Sequence, residues 1–459
     1  MKIAIVGWGL EGQSAFRYFG PEHEYLIVND EPRDDFPPQS DKIHTRFLHQ
    51  SAPPGVPGQV NDSSYMAGIE ECDKIIYQPT AYFKLRERFG DDRHFWDKAT
   101  TILDIFLETC PTKNIIGVTG SKGKGTTSTL IAEMIRKTGM NAHLGGNIGV
   151  PVLDMLNKVK ENDWVVLELA NFQLKSAKRS PRIAVCLLIT PEHLDWHPDV
   201  EDYIQAKANM FRNQTKDDIA IYFEDSRDSK RIAGYSPGRK IPYFEKPGGQ
   251  ISPEGKVVID EAEIEIINRS EIKLLGEHNL QNVCAAVTAV WFGLAGTDGH
   301  IKAGAMRQVL STFNGLEHRL ELVRELNGVT YYDDSFGTTP DTTIVALKAV
   351  IQPAVLILGG HDKGLNYDEL IDEIAVRDRV RHVITIGEIG PRLAQMLRDK
   401  HFKAITEGLK TMPEIVAEAR ARAQPGDAVL LSCGTSSFGL FHNYKDRGDQ
   451  FKKSVQSLA

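Results

Sequence analysis

Apolar and polar positions along this chain follow two periods. Short apolar runs, rich in β-branched residues, end in glycine or polar residues, a pattern typical of strands buried in a parallel sheet. Between them lie stretches with apolar positions at helical spacing, such as Leu130, Ile131, Met134 and Ile135. This alternation of strand and helix predicts an α/β fold. The predicted strands lie at residues 3–6, 25–30, 74–77, 115–119, 164–168, 183–189, 355–358, 382–386 and 428–431.

Residues 115–127 predict a buried strand, a glycine-containing loop and a helix. Such a loop lets backbone N–H groups approach a polyphosphate, and Lys124 can reach its terminal phosphates. The register departs from the usual G-x-x-x-x-G-K-[ST] pattern, because one residue is inserted in the loop and Gly125 follows the lysine. Thr126 is therefore the expected magnesium ligand, with Thr127 as the alternative. A glycine turn without a ligand is the competing interpretation.

A second glycine pattern lies near the beginning of the chain. The first strand runs into residues 7–12, which read G-x-G-x-x-G, and Asp30 ends the second strand. This arrangement is typical of dinucleotide binding and by itself favours an oxidoreductase. A nucleotide-diphosphate sugar at the helix N-terminus would satisfy it equally. Residues 31–64, rich in Pro, Asp and Ser, are expected to be irregular around a short strand.

The length of 459 residues predicts about three domains at roughly 150 residues each. We predict a Rossmann-like domain at residues 1–107 and a central P-loop ATPase-type parallel sheet at residues 108–316. Residues 317–459 are predicted to form a C-terminal, Rossmann-like α/β domain.

Further polar residues follow the predicted strands of the central domain. Glu168 ends an apolar strand, where open α/β sheets bind ligands, although a glutamate that caps a loop is the simpler interpretation without a P-loop nearby. His193 is a candidate metal ligand, and Asp195 and His197 are either irrelevant or support it from outside. Lys207 lies on an amphipathic helix and alone would be read as a solvated lysine.

Composition excludes several classes of protein. Charged residues make up 25% of the chain and the net charge is -8, which argues against a general nucleic-acid or membrane surface. No apolar run has membrane-spanning length, and the first residues form a predicted strand rather than a signal peptide. The cysteines form no C-x-x-C pair, so we expect free thiols in a cytoplasmic protein. They are Cys72, Cys110, Cys186, Cys284 and Cys433.

Taken together, these motifs and others spread over the chain resemble the Mur ligase family. Its members are ATP-dependent amide ligases of peptidoglycan precursor synthesis, related to folylpolyglutamate synthetase. The details most resemble the members that add D-glutamate. The motifs that carry the resemblance lie at residues 120–127, 146–149, 168–174, 193–197, 206–207, 276–282, 315–319, 333–335, 359–364, 431–438 and 441–448.

The resemblance implies a reaction and its catalytic residues. ATP would phosphorylate the carboxylate of UDP-N-acetylmuramoyl-L-alanine, and the amino group of D-glutamate would attack the acyl phosphate. Lys124 would hold the β and γ phosphates. Thr126 and Glu168 would bind one Mg²⁺ ion, and His193 a second. Lys207 would act as a carbamate, whose negative charge suits a lysine among metal ions.

The resemblance also implies binding residues and a cytoplasmic monomer that binds neither nucleic acid nor membrane. The expected ATP-binding residues are Gly120, Ser121, Lys122, Gly123, Lys124, Gly125, Thr126, Thr127, Asn282, Arg319 and Asp334, with His318 beside them. Those expected at the UDP-sugar are Leu10, Glu11, Asp30, Glu31, Asn147 and Gln173. Those expected at the incoming amino acid are Lys363, Ser437, Phe438 and Tyr444.

Some positions depart from the family pattern. Phe336 stands where a lysine is usual, Ala170 and Asn171 replace a pair of serines, and residues 78–80 read Gln-Pro-Thr instead of Ser-Pro-Gly. A sister ligase with another amino acid or acceptor therefore remains an alternative. An NAD-dependent oxidoreductase would leave the P-loop unexplained, and a regulatory protein without turnover is disfavoured because Lys124 and Lys207 are both present.

Overall fold

The computed structural model describes residues 1–48, 63–376 and 379–459. The chain divides into two compact units. Unit 1 comprises Met1–Arg269 and Gln281–Leu310, and unit 2 comprises Ser270–Leu280 and Ser311–Ala459. The predicted domain boundaries at residues 107 and 316 stay predictions.

The first sheet of unit 1 is parallel, with the strand order β3-β2-β1-β4-β5. This order matches the first five strands of the doubly wound dinucleotide-binding sheet, 3-2-1-4-5-6, as the G-x-G-x-x-G pattern predicts. The predicted irregular stretch of residues 31–64 contains β3, while residues 49–62 lie outside the described residues. The elements are β1 (Lys2–Val6), α1 (Leu10–Phe19), β2 (Glu24–Asn29), β3 (Ile43–Phe47), β4 (Lys74–Tyr77), α2 (Tyr82–Phe89), α3 (Arg93–Lys98), β5 (Ala99–Thr100) and α4 (Ile102–Thr109).

The second sheet of unit 1 is also parallel. Its elements are β6 (Ile115–Thr119), α5 (Lys124–Lys137), β7 (Ala142–Gly146), α6 (Val152–Leu156), β8 (Trp164–Glu168), α7 (Asn171–Leu174), β9 (Ile183–Cys186), α8 (Val200–Arg212), β10 (Ile219–Phe223), α9 (Arg227–Gly234) and β11 (Arg239–Tyr243). The strand order is β11-β10-β9-β6-β8-β7, so β6 lies between β8 and β9. The ends of these three strands therefore meet at one edge, at the position where such sheets bind ligands.

Strand β9 ends earlier than its apolar run predicts, at Cys186 instead of Ile189. The carbonyl of Leu188 instead accepts a hydrogen bond from Ser121 N at 2.9 Å. The backbone after β9 is therefore used to hold the loop after β6.

A small antiparallel sheet and two helices complete the first part of the chain. The elements are β12 (Gln250–Ile251), β13 (Lys256–Ile259), β14 (Ile264–Asn268), α10 (Glu277–Gly293) and α11 (Gly299–Thr312). Helix α10 contributes residues to both units.

Unit 2 contains a sheet with the order β15-β16-β20-β17-β18-β19, parallel except for the pair β15 and β16. Its elements are β15 (Glu321–Leu326), β16 (Val329–Asp333), α12 (Pro340–Ala349), β17 (Ala354–Gly359), α13 (Asp368–Val376), β18 (Val380–Ile386), α14 (Gly390–Asp399), β19 (Ile405–Thr406), α15 (Met412–Arg422), β20 (Ala428–Leu431) and α16 (Tyr444–Gln456).

Alternate residues of the unit 2 strands pack into cores on opposite faces. Ile357 packs with Phe451 of α16, whereas Leu356 and Leu358 pack with Leu393 of α14. Burial on both faces explains why these strands read as continuous apolar runs. The predicted α/β fold class is confirmed.

Two sequence expectations concern the surroundings of the protein. The cysteines are all buried free thiols. Among the described residues, the helices are too short or too polar for any of them to span a membrane.

Candidate active site

The loop between β6 and α5 has a shape that requires glycine. Gly123 has a φ angle of 86°, and a Cβ on it would lie 2.1 Å from Asn282 Oδ1. The amide of Asn282 therefore packs directly on the loop, and it also accepts a hydrogen bond from Thr127 Oγ1 at 3.4 Å. Asn282, predicted to bind nucleotide, forms part of the wall of the loop.

Two lysine side chains meet at one carbonyl oxygen of this loop. Lys124 Nζ donates to Gly120 O at 3.0 Å and to Ser121 O at 2.8 Å. Lys207 Nζ donates to the same Gly120 O at 2.9 Å and lies 4.5 Å from the centroid of the Tyr203 ring. Lys207 is fully buried. Its burial and the nearby charge of Lys124 lower the pKa of Lys207 well below its usual range, which favours the neutral, nucleophilic amine.

Ser121 ties the loop to the elements beside it. Its Oγ donates to Thr190 O at 2.7 Å and shares a hydrogen bond with Tyr203 Oη at 2.8 Å. The predicted contacts of Ser121 with phosphate stay a prediction, but its hydroxyl already holds the loop against α8 and the segment after β9.

The remaining predicted residues of the loop differ in exposure. Lys122 is exposed, whereas Gly125, Thr126 and Thr127 lie buried in the first turn of α5. The threonine hydroxyls therefore belong to the helix N-terminus, where backbone N–H groups favour an anion.

Glu168 places a buried carboxylate at the end of β8. The residue is 4% exposed, and its Oε1 accepts a hydrogen bond from Asn147 Nδ2 at 2.7 Å. Its Oε2 is buried without a hydrogen-bond partner among the described residues. Such an atom is costly unless a ligand occupies it, and Mg²⁺ prefers carboxylate oxygens. The residues present therefore fit a magnesium ion at Glu168.

His193 lies in the exposed loop after β9, with a φ angle of 57°. Its ring packs edge-on against Phe172, with 4.8 Å between the centroids. Its carbonyl accepts hydrogen bonds from Trp196 N at 3.1 Å and His197 N at 2.9 Å. This turn fixes the backbone of the predicted metal ligand.

A buried polar network supports the same turn. His197 is 2% exposed; Asn171 Nδ2 donates to its Nε2 at 2.7 Å, and its Nδ1 donates to Asp202 Oδ2 at 2.6 Å. Asp202 also pairs with Lys175. Burial lowers the pKa of His197, which favours the neutral form of its ring. The departure at Asn171 is visible in the sequence, but its partnership with His197 is not.

The first sheet carries predicted UDP-sugar residues at the beginning of α1 and the end of β2. Glu11 Oε1 accepts a hydrogen bond from Gln173 Nε2 of α7 at 2.8 Å, and burial raises the pKa of Glu11. Asp30 pairs with Lys84 at 2.7 Å and accepts a hydrogen bond from Tyr65 Oη at 2.8 Å. The structure thus brings Glu11 and Gln173 together.

The turn after β1 also contacts Gln78, one of the positions that depart from the family pattern. A Cβ on Gly7 or Gly9 would lie 2.6 or 2.5 Å from the Gln78 side-chain amide. The first two glycines of the G-x-G-x-x-G pattern therefore make room for Gln78. The remaining predicted residues of this region, Leu10 and Glu31, are exposed.

In unit 2, the predicted nucleotide residues Asp334 and Arg319 have different surroundings. Asp334 Oδ2 accepts a hydrogen bond from Ser432 Oγ at 2.7 Å, and its Oδ1 accepts one from Leu320 N at 3.1 Å. Burial raises the pKa of Asp334 to about 7. The Arg319 guanidinium lies 3.7 Å from the centroid of the Phe336 ring. Phe336 thus contacts a predicted substrate residue from the position where the family usually has a lysine.

His318 is buried and paired with Asp333, and its predicted place beside the nucleotide stays a prediction. Its Nδ1 forms a hydrogen bond of 2.7 Å with Asp333 Oδ2, and this carboxylate raises the pKa of His318. A Cβ on Gly448 would lie 2.1 Å from His318 Nδ1. Helix α16 therefore packs directly on the pair.

The residues predicted at the incoming amino acid follow neighbouring strands of unit 2. Lys363 follows β17, Ser437 and Phe438 follow β20, and Tyr444 begins α16. Ser437 is buried, Lys363 and Phe438 are exposed, and the Tyr444 ring lies edge-on to Phe336 at 5.1 Å. Because β20 and β17 are parallel neighbours, these segments lie at one edge of the sheet.

Two protein-family models match this chain. The Mur ligase middle domain matches residues 118–290, and the domain described as "Mur ligase, glutamate ligase domain" matches residues 318–434. The chain belongs to the Mur ligase family. The predicted resemblance is confirmed.

Two relatives of this Mur ligase share a name. The UDP-N-acetylmuramoylalanine–D-glutamate ligase of Symbiobacterium thermophilum is 37% identical over 465 residues, with 100% of this chain and 98% of the relative covered. The enzyme of the same name from Acetivibrio thermocellus is 37% identical over 405 residues, with 86% and 84% covered.

Solved structures agree with the fold of this Mur ligase. The MurF ligase of Thermotoga maritima in complex with ADP has a TM-score of 0.57 and 17% identity, with 100% of this chain and 95% of that chain covered. At this identity the likeness shows the fold alone.

Proposed function

We propose that this Mur ligase is an ATP-dependent amide ligase that adds D-glutamate to UDP-N-acetylmuramoyl-L-alanine in peptidoglycan precursor synthesis. The observation that carries the chemistry is the meeting of Lys124 and Lys207 at Gly120 O, in a glycine loop at the end of β6. The choice of substrates is supported by the relatives named UDP-N-acetylmuramoylalanine–D-glutamate ligase.

The chemistry begins from a poor acyl donor. A carboxylate does not react with an amine, so ATP first transfers its γ-phosphoryl group to a carboxylate oxygen and ADP leaves. The amine nitrogen of D-glutamate then attacks the acyl carbon, phosphate leaves, and the amine loses a proton. Phosphoryl transfer depends mainly on positioning and on neutralisation of charge. The side chains must therefore supply cations and fixed backbone donors.

The β6–α5 loop supplies both. Lys124 is held over the loop by two carbonyls, from which its ammonium can turn to the β and γ phosphates of ATP. The N–H groups at the beginning of α5 point to the same place. Glu168 and Thr126 would hold one magnesium ion and His193 a second, and magnesium, when bound, neutralises phosphate charge.

Lys207 is suited to carbamylation. A neutral amine nitrogen can attack the carbon of CO₂ and release a proton to water, which leaves a carbamate with a negative charge. The lowered pKa of Lys207 favours the required neutral amine. The carbamate would provide oxygen ligands for a cation and would no longer repel Lys124.

The two substrates other than ATP have separate sites in this proposal. The UDP-sugar would lie at the turn after β1, near Glu11, Asp30 and the amide of Gln173. The carboxylates of D-glutamate would bind Lys363 and Ser437, with Tyr444 beside them. We expect the enzyme to work as a monomer.

The test measures phosphate release and product mass with Mg-ATP and UDP-N-acetylmuramoyl-L-alanine. D-glutamate, L-glutamate, meso-diaminopimelate, L-lysine and no amino acid are compared in parallel. Product with D-glutamate alone is expected. Product with another amino acid would favour the sister-ligase alternative, for which Phe336 in place of the usual lysine is the specific reason. No product with any of them would contradict the ligase assignment for this acceptor.

A further inference from the structure

Arg447 lies fully buried in the first turn of α16. Arginine is rarely buried without a carboxylate partner, because desolvation of its charge is costly. Within the described parts of the chain, no carboxylate is placed at ion-pair distance from Arg447. Its guanidinium instead donates to oxygens of Ser335 and Thr435. The segments that carry Ser335 and Thr435 should therefore explain why this cation is buried.

The hydrogen bonds join two loops of unit 2. Arg447 Nε donates to Ser335 Oγ at 2.9 Å, and Nη2 donates to Ser335 O at 2.9 Å. Nη1 and Nη2 donate to Thr435 O at 3.2 and 3.3 Å. Ser335 follows β16 and Thr435 follows β20, so one planar group fixes the spacing of two strand ends.

On one side, the network reaches residues predicted to touch substrates. Ser335 stands between Asp334 and Phe336, and its Oγ donates to Tyr444 O at 2.8 Å. Asp334 is predicted at the nucleotide and Tyr444 at the amino acid. A shift of Ser335 would therefore move Tyr444, whereas Asp334 is also held by its own hydrogen bonds from Ser432 and Leu320.

On the other side, the network reaches the remaining amino-acid residues. Thr435 shortly precedes Ser437 and holds the loop after β17, because Thr435 Oγ1 donates to His361 O at 2.6 Å. Lys363 lies in that same loop. Arg447 is thus connected to every segment that carries a predicted amino-acid contact.

We infer that Arg447 is a positioning residue of the amino-acid site and places Lys363, Ser437 and Tyr444 at the spacing that a dicarboxylate amino acid requires. Apolar side chains could link the loops at lower free-energy cost, whereas the rigid fork of a guanidinium fixes both distance and orientation. The inference rests on the proposed function.

The test compares Arg447→Lys with the wild type in steady-state assays at varied D-glutamate and varied ATP. Lysine keeps the charge but cannot reproduce the fork. Because small displacements of binding groups have large kinetic effects, we expect KM for D-glutamate to rise about tenfold or more. KM for ATP at saturating D-glutamate should change much less.

Arg381→Lys is the matched control. Arg381 lies on β18 of the same unit, and its Nε donates to the buried carboxylate of Asp427 at 2.8 Å. Asp427 directly precedes β20. This variant should lower thermal stability without changing KM for D-glutamate. Equal rises of KM in both variants would show a structural effect and overturn the inference.

Ser335→Ala provides a milder second variant that is expected to fold even if Arg447→Lys does not. It removes the hydroxyl that accepts from Arg447 Nε, and it should raise KM for D-glutamate by less than Arg447→Lys does. The double variant should add little to Arg447→Lys, because both break one network. An unchanged KM in both single variants of an active enzyme would overturn the inference. An inactive wild type would instead overturn the proposed function on which it rests.

Discussion

The loop after β6 in unit 1 and the loops after β16, β17 and β20 in unit 2 are built in opposite ways. The first is one continuous stretch of chain, and its cation, Lys124, is held by carbonyls of its own loop. The second is assembled from distant segments around Arg447. The predicted phosphate site is therefore encoded in one stretch of chain, whereas the proposed amino-acid site depends on a tertiary contact.

The largest expected effect is at the local site. Lys124→Ala should lower the rate of ATP turnover by about a thousandfold, because one preorganised charge at a developing anion has effects of this size. Phosphate release measures it. Lys137→Ala, at the exposed end of the same helix, is the control and should keep the wild-type rate. A Lys124→Ala enzyme with near wild-type turnover would remove the basis of the ligase mechanism.

The local character of the first site explains how much of it could be predicted. The strand, the glycine loop and the positions of Lys124 and Glu168 in the fold could be predicted, because they depend on residues adjacent in sequence or on strand ends. The hydrogen bond between Lys207 and Gly120 O, and the pairing of Asn171 with His197, join distant segments. No sequence period predicts such pairs. The early end of β9 likewise depends on a loop from another part of the chain.

Asp334 in unit 2 should make the stability of the protein depend on pH. Burial raises its pKa to about 7, above that of an unfolded aspartate. The stabilising contribution of its protonated form is complete below the unfolded pKa, near 4, and is lost as pH rises through about 7. The free energy of unfolding of the ligand-free protein should therefore decline over this range, by roughly 2 to 4 kcal/mol from this group.

Urea unfolding at several pH values tests this expectation. Asp334→Asn should flatten the decline, because the amide can keep the hydrogen bonds to Leu320 and Ser432 without a charge. An equally steep decline in the variant would assign the pH dependence to other groups.

A smaller effect is expected where distant segments support the local site. Asn171→Ala leaves His197 Nε2 buried without its donor and should cost about 1 to 3 kcal/mol of stability. The magnesium concentration that gives half-maximal activity should also rise, because His197 N donates to His193 O and so holds the turn of this predicted metal ligand. Asn141→Ala removes an exposed partner of Asp163 and serves as the control for both measurements. A loss of stability without a change in the magnesium requirement would show that the network does not position His193.

The smallest effect is expected at Phe336. Phe336→Leu removes the ring under Arg319, an interaction of about 0.5 to 1 kcal/mol, and should raise KM for ATP a few-fold. Phe336→Tyr should keep the wild-type value, because the ring remains. If the leucine and tyrosine variants behave alike, Arg319 is oriented by other contacts.

The central claim is that the buried amine of Lys207 is carbamylated next to Lys124. The most direct measurement is a ¹³C NMR spectrum of the enzyme equilibrated with ¹³C-bicarbonate, compared with that of Lys207→Ala. We predict a carbamate carbonyl signal in the wild type that is absent from the variant. A wild-type spectrum without that signal, or with the same signal in Lys207→Ala, would contradict the claim.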